Sequence, residues 1–128
     1  RARARAVIGQ YAALGPDPLG QTCGSYDGHG WNMAFDFARN RLAGLYGFAD
    51  AGFGPVHREF VYPGFIARNL VRRIVAAYAA ETGRRLDQSR IDILTAALRL
   101  SELAGATGNP DHLGDMRRNA VEWLALMA

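Results

Sequence analysis

Hydrophobic residues recur at helical spacing over most of the chain and alternate over one short stretch. Val7, Ile8, Tyr11 and Leu14 form a stripe that predicts a helix over residues 1–14, closed by Gly15-Pro16. Residues 15–32 are rich in Gly and Pro and read as a loop. Met33-Ala34-Phe35 and Leu42-Ala43-Gly44-Leu45-Tyr46 read as two strands joined by a turn at Arg39-Asn40-Arg41, a hairpin. Ala49 to Pro55, with Gly52 and Gly54, reads as a second loop.

Beyond the hairpin the period is helical. A short helix is predicted over His57–Tyr62, ending at Pro63. A longer one over 67–82 carries Leu70, Val71, Ile74, Val75 and Tyr78, with Gly83 as its stop. Asp87 can cap a helix with the face Ile91, Leu94, Leu98 and Leu103, ending at Gly105. Asn109-Pro110 opens a last helix that buries Met116, Ala120, Trp123, Leu124 and Met127. The pattern therefore predicts an α+β chain, mainly α, with one hairpin that has a loop at each end.

Composition narrows what this scaffold can do. The 128 residues suit a single domain spanning 1–128. All 15 cationic side chains are Arg, and there is no Lys, which excludes a Schiff base, a Walker loop or a phosphate-gripping strand lysine within this chain. The net charge of +3 is spread along amphipathic patterns with no recognition motif beside it, so no nucleic-acid partner is expected. The lone Cys23 excludes an intrachain disulfide and a multi-cysteine zinc site, and the distance between His29 and His57 has no ligand logic of its own. No apolar run approaches a membrane span and no secretory pattern comes after Arg1, so a cytoplasmic location is expected. Trp31 and Trp123 read first as packing residues, with Trp31 a second choice as a pocket wall. Asp111 and His112 read as first-turn residues of the last helix, and Glu81 and Glu102 as solvated positions.

Candidate chemistry sits in Ser25-Tyr26-Asp27-Gly28-His29-Gly30-Trp31-Asn32, where an Asp precedes by five residues an Asn that leads into a strand. In phosphoryl transfer an Asp orients the attacking hydroxyl and an Asn amide oxygen coordinates the Mg²⁺ on the nucleotide phosphates. After Asn32 come, in order, a strand, a turn, and a second strand leading to Gly47-Phe48-Ala49-Asp50-Ala51-Gly52. This order resembles the C-terminal lobe of the aminoglycoside phosphotransferase and choline kinase-like family, whose pattern is His-Gly-Asp-x-His-x-x-Asn, a strand, and a second strand ending in Ile-Asp-Phe-Gly-Asp-Ala-Gly. The likeness is most specific over residues 25–59.

The resemblance implies the helical C-lobe of a protein kinase-like fold, with the hairpin carrying the catalytic and metal loops. It implies ATP and Mg²⁺ as cofactors and a small-molecule hydroxyl acceptor. By position, Asp27 is the catalytic Asp, His29 the loop histidine and Asn32 the metal ligand. Asp50 is the second acidic residue after the hairpin, serving loop or substrate, and Glu59 is an acidic residue at the next helix, chiefly structural. Two positions depart from the pattern. Ser25 stands where the family has its first His, and Gly47 stands where the family has the Asp that binds Mg²⁺. The roughly 24 residues before the loop leave no room for a nucleotide-binding N-lobe. Two readings are open: a phosphotransferase C-lobe, inactive as this chain alone, or a degenerate lobe that acts by binding. Either leaves an exposed apolar face for an N-lobe or a second copy, and Gly47→Asp is the substitution that separates them.

Overall fold

Residues 1–67, 69–108 and 110–126 are described by a computed structural model. It is α+β and mostly helical, as the hydrophobic pattern predicts. The chain packs as two compact units: Arg1–Gly15 with Ser89–Ala128, and Pro16–Gln88.

In the first unit, helix α1 (Ala2–Ala12) buries Val7 but leaves Ile8 and Tyr11 more than half exposed, so its stripe is narrower than its spacing suggests. Helix α4 (Gln88–Gly105) ends at Gly105, as the pattern predicts, and a 3-10 turn at Ala106–Gly108 follows it. Its buried positions are Ile91, Thr95, Ala96 and Arg99. Helix α5 (Pro110–Leu126) buries Ala120 and Trp123; the expected cap Asn109 and core residue Met127 lie outside the described residues. Val7, Ala96 and Trp123 form the core here, with Leu100 and Leu124 packed against it. The Arg99 guanidinium lies 5.0 Å from the Trp123 ring centroid, a cation–π contact in a dry setting.

In the second unit, the hairpin forms as expected, from β2 (Met33–Asp36) and β3 (Arg41–Leu45). Asp36 accepts hydrogen bonds from the Arg39 amide (3.0 Å) and guanidinium (2.8 Å), and Asn40 takes the left-handed φ of 48° that closes the turn. The pairing shifts by one residue at Ala34/Phe35, so Met33 faces Leu45 while Phe35 faces Leu42.

The two predicted loops are not simply loops. Strand β1 (Gln21–Gly24) pairs antiparallel with β4 (Gly52–Pro55), Thr22 opposite Gly54 and Gly24 opposite Gly52. A side chain at Gly54 would place its Cβ 2.7 Å from Tyr26 Cζ, and one at Gly24 would lie 2.5 Å from Glu59 Oε2. These glycines clear space for close neighbours rather than loosen the chain, the use glycine has inside a strand.

After β4 a 3-10 turn covers Val56–Phe60, and Pro63 opens the short helix α2 (Pro63–Ile66) instead of ending the previous one. Proline suits a first helical position because the amide it lacks would have no partner there. Helix α3 (Leu70–Thr82) turns its predicted stripe inward, with Val71 buried, Ile74, Val75 and Tyr78 half-buried, and Arg72 and Arg73 exposed. Gly83 ends it at φ 70°, donating to Ala79 O at 2.9 Å. Val56, Phe60, Val61, Tyr62 and Val71 are buried, and Phe60 meets Tyr78 edge-on at 5.0 Å.

A buried polar pair ties this unit together. Asp17 and His57 side chains are 3% and 1% exposed. The Asp17 carboxylate accepts from Leu19 N (2.9 Å), His57 N (2.8 Å) and His57 Nδ1 (2.9 Å). Because the Asp87 amide donates to His57 Nε2 at 2.9 Å, Nδ1 is the ring nitrogen that donates. Burial alone would raise the Asp17 carboxyl, but the amide bonds from His57 and Leu19, with the His57 ring, outweigh it and hold the group below its ordinary value.

Asp17 therefore contributes stability that is complete above the ordinary Asp value of about 3.9 and is lost as pH falls through the lower folded value. Asp17→Asn is expected to destabilise the chain by about 2–4 kcal/mol at neutral pH, since three donors lose a charged acceptor. Urea unfolding followed at intervals from pH 6 down to pH 2 checks both points. The variant should show a shallower loss of stability in acid than the parent chain.

Candidate active site

The hairpin register builds the site. Met33 faces Leu45, and one step further Tyr46 N donates to Asn32 O at 3.0 Å. The residue that enters β2 and the residues that leave β3 are thus neighbours, although 15 positions separate Asn32 from Gly47. The bulge decides this, because a one-residue slip would turn the Asn32 side chain to the other face.

The Asn32 side-chain amide donates to Asp27 Oδ2 at 2.7 Å and to Asp27 O at 2.8 Å. Both partners are acceptors, so the nitrogen must face Asp27 and the amide oxygen must face away. That oxygen faces Gly47: a Cβ on Gly47 would lie 2.5 Å from Asn32 Oδ1. Gly47 has φ 75°, a conformation a side chain strains. Asp27, Asn32 and Gly47, singled out in the sequence, are therefore brought together.

The loop before Asp27 is held from below by Glu59. Its carboxylate accepts from Ser25 N (3.1 Å), Ser25 Oγ (2.9 Å) and Tyr26 N (2.8 Å). Ser25 is thereby used as a hydroxyl donor to the same carboxylate. Tyr26 is buried at φ 51°, a left-handed conformation costing roughly 1–2 kcal/mol for a non-glycine residue. The Glu59 bond, the Tyr26 hydroxyl on Thr22 O (2.9 Å) and the cleared space at Gly54 hold it there. Burial, then the Glu59 charge, raise the Tyr26 hydroxyl above its ordinary value, so it remains a donor.

His29 reaches toward Asp27, with Nε2 3.5 Å from Oδ1. Its ring stands edge-on to Tyr62 (4.7 Å) and Phe65 (5.2 Å), contacts that fix its direction. The remaining sequence candidates lie outside this group. Asp50 is exposed in a 3-10 turn, Phe48–Asp50. Trp31 is 81% exposed, which overturns its reading as a packing residue: the turn Gly30–Asn32 directs it to solvent. Cys23 is exposed on β1.

Beside Asp27 and Asn32 opens a recess of ≈ 260 Å³. Its walls are mainly apolar, from Met33, Leu45, Phe48, Phe60, Pro63 and Ile74. Sequence reading missed Asp17 and Tyr26, and it underrated Ser25 and Glu59 as partners. The available signals were the glycines of β1 and β4, which mark close approach, and the placing of Asp17 between two prolines. Among the described residues, no group of three or more His, Cys, Asp or Glu side chains comes together to hold a metal ion. Among them also, no helix is long and apolar enough to cross a membrane. No protein-family model, no curated protein and no solved structure matches the chain.

The packing of Asn32 on Gly47 also changes what Gly47→Asp would do. A carboxylate at 47 can enter only if Asn32 leaves its bonds to Asp27, so the substitution does not simply add a ligand. Gly47→Ala is expected to destabilise by about 1–3 kcal/mol, combining backbone strain with displacement of Asn32. In an Asn32→Ala background the same change should cost only the backbone part, roughly 1 kcal/mol. A double-mutant cycle by denaturant unfolding measures the difference; purely additive costs would exclude the steric contact.

Proposed function

We propose that this chain is the substrate-side lobe of a small-molecule O-phosphotransferase, transferring a phosphoryl group from ATP to an alcohol. The observation that carries the reading is the convergence of Asp27, Asn32 and Gly47 at the open end of the hairpin. The Asp27 carboxylate keeps acceptor capacity beyond its bond from Asn32, so it can take a hydrogen bond from an alcohol and aim the oxygen. His29, packed on Tyr62 and Phe65, supports that carboxylate from its other oxygen. Glu59 holds the loop still, which matters because a positional error of about 1 Å can cost 10²-fold in rate.

The residues fit a divalent ion only in part: the Asn32 amide oxygen would hold it, and the rest of its shell would come from phosphates and water. Bound there, Mg²⁺ supplies neutralisation of the phosphate charge. The exposed apolar residues Phe35, Phe37, Leu42 and Phe48 on and after the hairpin suit a lobe that works with a second body, which would bring the nucleotide-gripping groups this chain lacks.

A second reading rests on Gly47. With no carboxylate there, and with the Asn32 amide filling the space beside it, the lobe is a binding module that retains the phosphotransferase frame without its metal chemistry.

Titration with Mn²⁺·ADP separates the two. Mn²⁺ broadens nearby amide resonances, and the enzymatic reading predicts selective broadening at Asp27, Asn32 and Gly47 that Asn32→Ala abolishes. Broadening confined to other residues, or none up to millimolar concentrations, sinks that reading in favour of the binding module.

A further inference from the structure

The recess carries a more specific statement about the acceptor, one that rests on the phosphotransferase reading. Its polar side chains are largely committed to one another. Ser25 Oγ donates to Glu59 Oε1, and Glu59 also takes the amides of Ser25 and Tyr26, three donors on one carboxylate. Asn32 donates both its bonds to Asp27. What remains are the neutral Asn32 amide oxygen, turned toward Gly47, and Asp27 Oδ1, which has His29 Nε2 3.5 Å away. The polar end of the recess thus carries two carboxylates, Glu59 with three donors and Asp27 with an oxygen that takes none from Asn32, and the walls from Met33, Leu45, Phe60 and Ile74 are apolar.

A polyamine sugar needs several carboxylates aimed at its ammonium groups. Here Glu59 already takes three donors, and Asp50 is exposed and does not line the recess. Desolvating further ammonium groups against Met, Leu, Phe and Ile walls is costly. One hydroxyl donating to Asp27, with a hydrocarbon body against those walls, matches this lining. The volume, ≈ 260 Å³, is near the lower end of small-molecule sites. We infer that the acceptor is a neutral alcohol with an apolar body, bound with its hydroxyl on Asp27 and its hydrocarbon portion between Leu45 and Ile74.

The test is a methyl-NMR titration with 4-phenyl-1-butanol, with n-butylbenzene and kanamycin as comparisons. Expected are saturable shifts at the Met33, Leu45 and Ile74 methyl groups with the alcohol. The hydrocarbon without a hydroxyl should bind roughly tenfold more weakly, the value of one hydrogen bond to a charged acceptor. Kanamycin should leave those methyl groups unmoved. Ile74→Trp, which fills the recess, should remove the shifts. If that variant does not fold, Leu45→Gln at the half-exposed rim serves instead and should weaken binding about tenfold. Shifts centred on the exposed Trp31, Phe37 or Phe53, equal binding of butylbenzene, or binding of kanamycin at the recess would each overturn the inference. The titration uses no nucleotide, and the Mn²⁺·ADP measurement uses no alcohol, so failure of one is distinguishable from failure of the other.

Discussion

The Pro16–Gln88 unit depends on two carboxylate–donor clusters that share one short 3-10 turn, Val56–Phe60. From this turn His57 joins the Asp17 carboxylate and Glu59 takes three donors from Ser25 and Tyr26. Hydrogen bonds to an ionised acceptor are about twice as strong as neutral ones, and here they link segments 33 to 40 residues apart in sequence. Removing either carboxylate would leave several buried or half-buried donors without a charged acceptor. The turn is thus both a fold determinant and the support beneath the candidate catalytic loop.

Stiffness at that support explains why a non-glycine residue can hold a left-handed conformation immediately before Asp27. Tyr26 is bonded at its amide and its hydroxyl, and its ring fills the space left by Gly54. Backbone strain of this kind persists only where the surroundings over-determine it, and it gathers at functional loops. The hairpin supplies the second constraint. Its bulge sets the register that brings Asn32 against Gly47, and the need of Asp27 for a donor orients the Asn32 amide so that its oxygen faces Gly47.

Elements with a clear hydrophobic period were legible in the chain. The hairpin and α3 lie close to their predicted positions, and Gly83 ends α3 as a left-handed stop. The β1–β4 pair was not legible. Gln21-Thr22-Cys23-Gly24 and Gly52-Phe53-Gly54-Pro55 lack the branched, alternating side chains that announce a strand, and their glycines are explained only by the Tyr26 ring and the Glu59 carboxylate they make room for. The spacing of Asp27 and Asn32 was visible, but the meaning of Gly47 was only half visible. As a letter it is a missing carboxylate; in space it is the surface on which the Asn32 amide rests.

By itself, the sequence determined the helical periods, the hairpin, the absence of lysine and the Asp-to-Asn spacing, because each is a local property of residue type and order. Tertiary structure alone decided that Asp17 and His57 form a buried pair, that Glu59 is consumed in holding a loop, that Trp31 faces solvent, and that the recess beside Asp27 is apolar. These depend on which distant segments meet. A carboxylate reads the same in any sequence, and only the donors that reach it through folding determine whether it binds a substrate or holds the chain together.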